Sequence, residues 1–195
     1  TAHPEVCAIM ATLGYDAVVV DWQHGIGANE KSVVECIRAI NSVPGVAAFV
    51  RLPKADSYYI SHVLDAGASG VIVPMVNTRE EAENAGLNCR YSPTGYRSLA
   101  HSPFKKPEES TEDYTNRANG EIICLVMIET RKALANIEVM NAYNVKHIVT
   151  TCPHSYNTIK NEYPSLGGNY TVQHHTEFIS DLIACLLYTS DAADE

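Results

Sequence analysis

Gly14-Tyr-Asp-Ala-Val-Val-Val-Asp-Trp-Gln-His-Gly25 holds an apolar run, Ala17 to Val20, that stops at Asp21 and opens into a polar turn. The run is apolar at every position, as expected of a strand covered on both faces in a parallel sheet. Two more runs have the same form. Val46 to Val50 ends at Arg51, and Ile122 to Ile128 is followed at once by Glu129. His24, Arg51 and Glu129 thus stand at the exits of three predicted strands: a residue that titrates near neutral pH, a fixed cation and a carboxylate. In a parallel α/β barrel such exits converge on one mouth, where active sites are assembled from several strand ends.

Working outward, short apolar runs alternate with helix-like segments, the rhythm of βα units. Pro4 to Leu13 reads as a helix with Pro4 in its first turn and Gly14 as its stop. Asn29 caps a helix to about Ser42, with Val33, Val34, Ile37, Ala39 and Ile40 on its apolar side. Ser57 to Ala66 is a short helix leading to the strand Gly70–Pro74. Thr78 caps a helix to about Leu87, with Glu81 completing a capping box. Cys89 to Asn119 reads as a long polar connection, of the kind that is usually functional or mobile. Arg131–Asn141 reads as a helix, Lys146–Thr151 as a final strand and His174 to Ala184 as a closing helix. About five strands and six helices fall short of the roughly 250 residues of a complete (β/α)8 barrel. An incomplete TIM barrel lacking its first and last strand regions is therefore the expected fold, over residues 1–184. A doubly wound open sheet is the runner-up, but no Gly-rich phosphate turn follows any strand. Cys185–Glu195 is expected to be a non-native tail, since its reverse translation can give a transposase-type sequencing adapter.

Composition removes other classes. The 195 residues are 46% hydrophobic, enough for one sizeable core, and the net charge of −9 argues against nucleic acid. No apolar run reaches the roughly 18 residues that read as a membrane span. The six cysteines show no C-x-x-C pair; reduced thiols in a cytoplasmic enzyme are expected.

Each site residue has a plainer reading. A lone histidine is more often a packing residue than a base, and it is the register with Arg51 and Glu129 that favours catalysis for His24. A buried arginine needs an anion, supplied either by a carboxylate or enolate substrate or by a structural salt bridge. Glu129 suits a helix N-terminus through the dipole alone, or it is an oxygen ligand for a hard divalent cation. His174-His175 reads as an N-terminal helix feature, since adjacent residues do not share a helix face. His62, His101 and His147 carry no partner pattern.

Together these stretches resemble the HpcH/HpaI aldolase family, metal-dependent class II aldolases of pyruvate enolates. The matching text is Gly14–Gly25, Val50-Arg-Leu-Pro53, Val63-Leu-Asp-Ala-Gly-Ala68, Gly70-Val-Ile-Val-Pro-Met-Val-Asn-Thr78, Tyr91-Ser-Pro-Thr-Gly-Tyr-Arg97 and Met127-Ile-Glu-Thr-Arg131. The resemblance runs from about Pro4 to Asn136, with a weak continuation to Ala184. It implies a (β/α)8 barrel, a divalent cation (Mg²⁺ or Mn²⁺, with Co²⁺ or Zn²⁺ as alternatives) and a homo-oligomer with interfacial active sites. By position, His24 matches the general base. Asp65 matches the carboxylate that raises that histidine's basicity, from a neighbouring subunit. Arg51 matches the arginine that steadies the enolate oxygen, and Glu129 matches one of two acidic metal ligands.

Two positions depart from the pattern. Met127 stands where the family has a substrate-contacting glutamine. The second acidic ligand falls in Thr151-Cys-Pro-His-Ser-Tyr156, where the alignment offers Ser155 or, shifted by one, His154; an imidazole ligand favours a softer cation than magnesium. The expected activity is retro-aldol cleavage of a 4-hydroxy-2-oxo acid to pyruvate and an aldehyde, or the related decarboxylation of oxaloacetate in a macrophomate-synthase-like branch. The competing expectation is a non-catalytic barrel that binds a small acid or is structural.

Overall fold

In the computed structural model the described residues are 2–99, 104–130, 132–133, 136, 147–150, 153–166, 170–178 and 180. The chain divides into two compact units, residues 1–134 and 135–195.

The first unit opens with α1 (Pro4–Ala11), β1 (Ala17–Asp21), α2 (Glu30–Asn41), β2 (Ala47–Arg51), α3 (Ser57–Asp65), β3 (Gly70–Val73) and α4 (Arg79–Asn88). It continues with α5 (Thr111–Glu121) and β4 (Ile123–Val126). The strands form one parallel sheet in the order β1-β2-β3-β4, as βα connections require. Asp21 is opposite Arg51, Arg51 opposite Ile72, and Val73 opposite Val126, so all four strands exit at the same end.

Side-chain caps start α2, α3 and α4. The Asn29 side chain accepts the Ser32 N–H while Ser32 Oγ accepts the Asn29 N–H, a reciprocal cap at the head of α2. Asp56 caps α3 by accepting the Tyr58 N–H. Thr78 caps α4 through the Glu81 N–H, but the return bond differs from the expected box: the Glu81 carboxylate takes the N–H of Asn77 instead.

Val33, Cys36, Ile37 and Ile40 of α2 and Val63 of α3 are fully buried against Val20, Val50, Val71 and Val73. Each such valine or isoleucine contributes about 1.5–3 kcal/mol of burial. Gly70 is needed where it stands, because a Cβ there would lie 2.4 Å from the Phe49 ring and 2.6 Å from the Ile123 carbonyl. The expectation of strands covered on both faces holds for the inner strands, where Ala48, Phe49 and Val50 of β2 are all buried, and fails for the outer ones. Val19 is 53% exposed, and Leu125 of β4 is 47% exposed. Cys7, Cys36, Cys89 and Cys124 are free thiols, and burial pushes Cys36 up to about 12.

The polar stretch after Cys89 is corrected. Its second half is α5, started by Ser110 accepting the Asp113 N–H. Only Tyr114 and Ala118 of this helix are buried, so its apolar stripe is too thin to read by periodicity, whereas Ser110-x-x-Asp113 is a legible start signal.

In the second unit β5 (His147–Thr150) pairs in parallel with β6 (Thr171–His174), His147 opposite Thr171. Between them lie α6 (Pro153–Asn161), entered through a proline, and a 3-10 turn, Tyr163–Leu166. The expected helix start at His174 is corrected: His174 ends β6 and helical residues begin at His175. The expected helix 131–141, apart from residues 132, 133 and 136, and the tail 185–195 lie outside the described residues. Among the described residues no helix is long and apolar enough to cross a membrane.

Candidate active site

Register fixes the centre of the site. Asp21 and Arg51 are paired residues at the exits of β1 and β2, and their side chains meet in a fork. Nε of Arg51 donates to Oδ1 of Asp21 at 2.9 Å and Nη2 donates to Oδ2 at 2.5 Å. This uses two of the five guanidinium N–H donors. Asp21 Oδ1 also accepts the backbone N–H groups of Gln23 and His24, each at 3.1 Å. One carboxylate therefore ties the arginine to the turn that carries His24. Sequence reasoning assigns Asp21 no role; the available signal is an acid and an arginine closing neighbouring strands. The Arg51 fork, reinforced by the two backbone donors, holds the Asp21 carboxyl below the usual carboxylate range against the opposing effect of burial. Arg51 is raised in turn by its bond to Asp21, and the charge of Glu129 adds to the effect, which puts Glu129 in electrostatic reach of the guanidinium.

Glu129 follows β4 at the same end of the sheet, and its Oε2 accepts the Met75 N–H at 2.9 Å. Met75 belongs to the loop leaving β3 and has φ of 58°, a left-handed conformation uncommon for a side chain of this kind. Met127 is half-buried and takes part through its backbone, with its N–H on the Val73 carbonyl and its carbonyl accepting from Val76. A thioether cannot supply the amide donors of a glutamine at that position.

Asp65 is placed elsewhere. α3 runs from the exit of β2 back to the entrance of β3, so its last residue lies at the opposite end of the sheet from Asp21. There Arg97, whose side chain is 2% exposed, donates from Nη2 to Asp65 Oδ1 at 2.6 Å and stacks over the Tyr91 ring. Arg97 shares a shallow cavity with Ser69 and Ile122, the residues just before β3 and β4. Within one chain the fold does not bring Asp65 to His24.

The donor set decides how far a divalent cation fits. Glu129 is suitable as one hard oxygen ligand, while both oxygens of Asp21 are committed to Arg51. Among the described residues no group of three His, Cys, Asp or Glu side chains converges as a metal site. The described residues thus supply one ligand and no complete site. The side chains of His154 and Ser155, the aligned positions for a second ligand, lie outside the described residues.

The fork has a pH signature. A carboxyl whose folded pKa is depressed contributes stability that is fully present above its unfolded pKa and is lost as pH falls through the folded value. The wild type is expected to lose urea resistance below about pH 4. Asp21→Asn should be less stable at pH 6, by about 1 kcal/mol, and should lose less on going to pH 3. Parallel losses in the two proteins would show that the fork does not carry this part of the acid sensitivity.

The profile described as HpcH/HpaI aldolase/citrate lyase matches residues 1–157. A 4-hydroxy-2-oxovalerate aldolase from Novosphingobium aromaticivorans is 36% identical over 141 residues, which is 72% of this chain and 53% of that protein. A hydroxypyruvate/pyruvate aldolase from Rhizorhabdus wittichii is 41% identical over 138 residues, 71% of this chain and 52% of that protein. The chain spans about half the length of these curated relatives. An HpcH/HpaI aldolase from Desulfitobacterium hafniense shares the fold, with a TM-score of 0.64 at 20% identity over 100% of this chain and 88% of that one.

Proposed function

Because the chain belongs to the HpcH/HpaI aldolase/citrate lyase family, we propose that the full-length protein is a carbon–carbon lyase that cleaves a 4-hydroxy-2-oxo acid into pyruvate and an aldehyde. The observation that carries this reading is the Asp21 carboxylate, which joins Arg51 to the His24 turn at the strand exits where Glu129 also stands.

The chemistry follows from the groups present. Arg51, oriented by Asp21, directs remaining N–H donors at the carboxylate and 2-oxo oxygens of the substrate, where negative charge grows as the reaction proceeds. His24, on an exposed turn, takes the proton of the C4 hydroxyl in this reading. The C4 oxygen then forms the aldehyde carbonyl, the C3–C4 bond breaks, and its electron pair passes into the C2–C3 enolate. Protonation at C3 completes pyruvate. A divalent cation of the kind the family implies polarises a 2-oxo group, and Glu129 is the described residue that would hold one.

Two features support the finer parts of the reading. Asp65 sits at the far end of the sheet with its carboxylate partly exposed, so it would meet His24 only from a second copy, which favours a homo-oligomer with interfacial sites. Free thiols suit a cytoplasmic enzyme.

The test is pyruvate release by the full-length protein from a panel of 4-hydroxy-2-oxo acids with Mg²⁺, Mn²⁺, Co²⁺ or Zn²⁺. Release that needs the ion supports the reading, and its absence with every ion overturns it. Glu129→Gln is expected to lower release by about 100-fold and to abolish the rise in melting temperature that a bound ion gives by mass action. A non-catalytic barrel would show neither the release nor the thermal shift.

A further inference from the structure

The Asn77 side chain helps to stitch the loop leaving β3 to the segment leaving β4. Asn77 Nδ2 donates to the Met75 carbonyl at 2.6 Å, and its Oδ1 accepts from Thr130 Oγ1. Its backbone N–H is fixed at 2.6 Å by the Glu81 carboxylate at the head of α4. Thr130 Oγ1 is held in turn by the Ala133 N–H at 3.1 Å. Within this frame Met75 is the sole non-glycine residue with positive φ among the described residues. A side chain in that conformation persists when its surroundings over-determine it, and such residues collect at functional sites. What the conformation does here is specific: it aims the Met75 N–H at Glu129 Oε2, 2.9 Å away.

We infer that Asn77 is a positioning residue for Glu129. By holding Met75 in the left-handed conformation, it fixes one carboxylate oxygen of Glu129 on a backbone N–H and leaves Oε1 as the oxygen for a ligand. This rests on the reading of Glu129 as a ligand-binding group, but not on which ion or aldehyde the protein uses. Two elements contribute to it. The β3 loop supplies the donor, and Thr130, next to Glu129, keeps Asn77 in place to direct it. A carboxylate held by an outer partner presents its free oxygen in one direction, which is why loss of such partners weakens sites they do not touch.

Two measurements on the full-length protein test it together. The first is hydrogen exchange of the Met75 N–H, which needs neither ion nor substrate. The second is the split between kcat and KM for pyruvate release. Asn77→Ala is expected to remove the protection of the Met75 N–H and to lower kcat by about 10–100-fold, with KM for the 2-oxo acid changing less. Asn77→Asp keeps the oxygen that Thr130 approaches but offers the Met75 carbonyl no donor. It should behave as Asn77→Ala does, and it carries the test if the alanine variant folds poorly. Adding Met75→Gly to Asn77→Ala is expected to restore part of the kcat, since glycine adopts positive φ without a clamp.

A Met75 N–H that is unprotected in the wild type, or that stays protected without Asn77, overturns the inference. So does an unchanged kcat in an active protein, or a glycine double variant with no recovery. If the wild type releases no pyruvate, the proposed activity fails while the exchange measurement still decides the clamp.

Discussion

Arg51→Lys in the full-length protein is expected to lower pyruvate release by about 10²–10³-fold while changing stability by about 1 kcal/mol or less. On the proposed function, the guanidinium has two tasks that an ammonium cannot combine. Nε and Nη2 bind both oxygens of Asp21, at 2.9 and 2.5 Å, and this fixes the plane of the group. On the proposed function, the remaining N–H donors would meet a substrate from that plane. Lysine keeps the charge and most of the stem, so packing against the strand ends is largely preserved. A single ammonium, however, either pairs with Asp21 or turns toward the substrate, and it cannot present two parallel bonds to either. Charge that develops on the 2-oxo oxygen during cleavage would lose its fixed donor. The comparison is kcat/KM for both proteins beside their urea unfolding curves. Equal turnover, or a loss matched by unfolding, would reduce Arg51 to one half of a structural salt bridge.

The same fork shows what was legible in the chain. The positions of β1 to β4 follow from four apolar runs, and their common exit follows from the βα rhythm. Residues as distant as His24 and Glu129 could therefore be assigned to one end of a sheet without coordinates. The partner of Arg51 was not legible. Asp21 lay in plain sight, but whether an arginine at a strand exit meets a neighbouring acid or a substrate depends on register, and register is a pairing between strands thirty residues apart. Asp65 shows the converse case. Family resemblance marks it as functional, whereas the chain's own topology puts it at the far end of the sheet, on the buried Arg97, to which the sequence assigns no role.

Elements were missed for a related reason. α5 buries so few side chains that hydrophobic periodicity cannot report it, and only its capping residues distinguish it from a loop. Met75 is harder still. Nothing in Pro-Met-Val-Asn announces a left-handed methionine, because Asn77 is held in place by Thr130 and the Met75 N–H is met by Glu129, both distant in sequence. Sequence patterns report burial and punctuation well; they report poorly the places where tertiary contacts hold the backbone against its propensity, which is where sites are commonly built.

Gly25→Ala is expected to be the most damaging small change at the site, lowering turnover by about 100-fold or more and stability by about 1–3 kcal/mol. The reason is space rather than backbone freedom. A Cβ on residue 25 would lie 2.1 Å from the Asp21 carbonyl oxygen and 3.4 Å from the Ala28 Cβ, and no flexible side chain is there to move aside. The turn itself must shift, drawing the Gln23 and His24 N–H groups off Asp21 Oδ1 and carrying the His24 ring with it. Asp21 would keep Arg51 but lose two of its donors, so His24, the proposed base, and the cation would no longer be registered on one carboxylate. Gly27, two residues on, supplies the control. It has φ of 77° with nothing within 4 Å of an added Cβ. Gly27→Ala therefore meets only the cost of a left-handed alanine, about 1 kcal/mol, and leaves the His24 turn alone. Turnover and urea unfolding of the two variants separate the effects. A Gly25→Ala protein as active as Gly27→Ala would mean that the turn tolerates displacement, and that the bond from His24 to Asp21 does not set the position of the base.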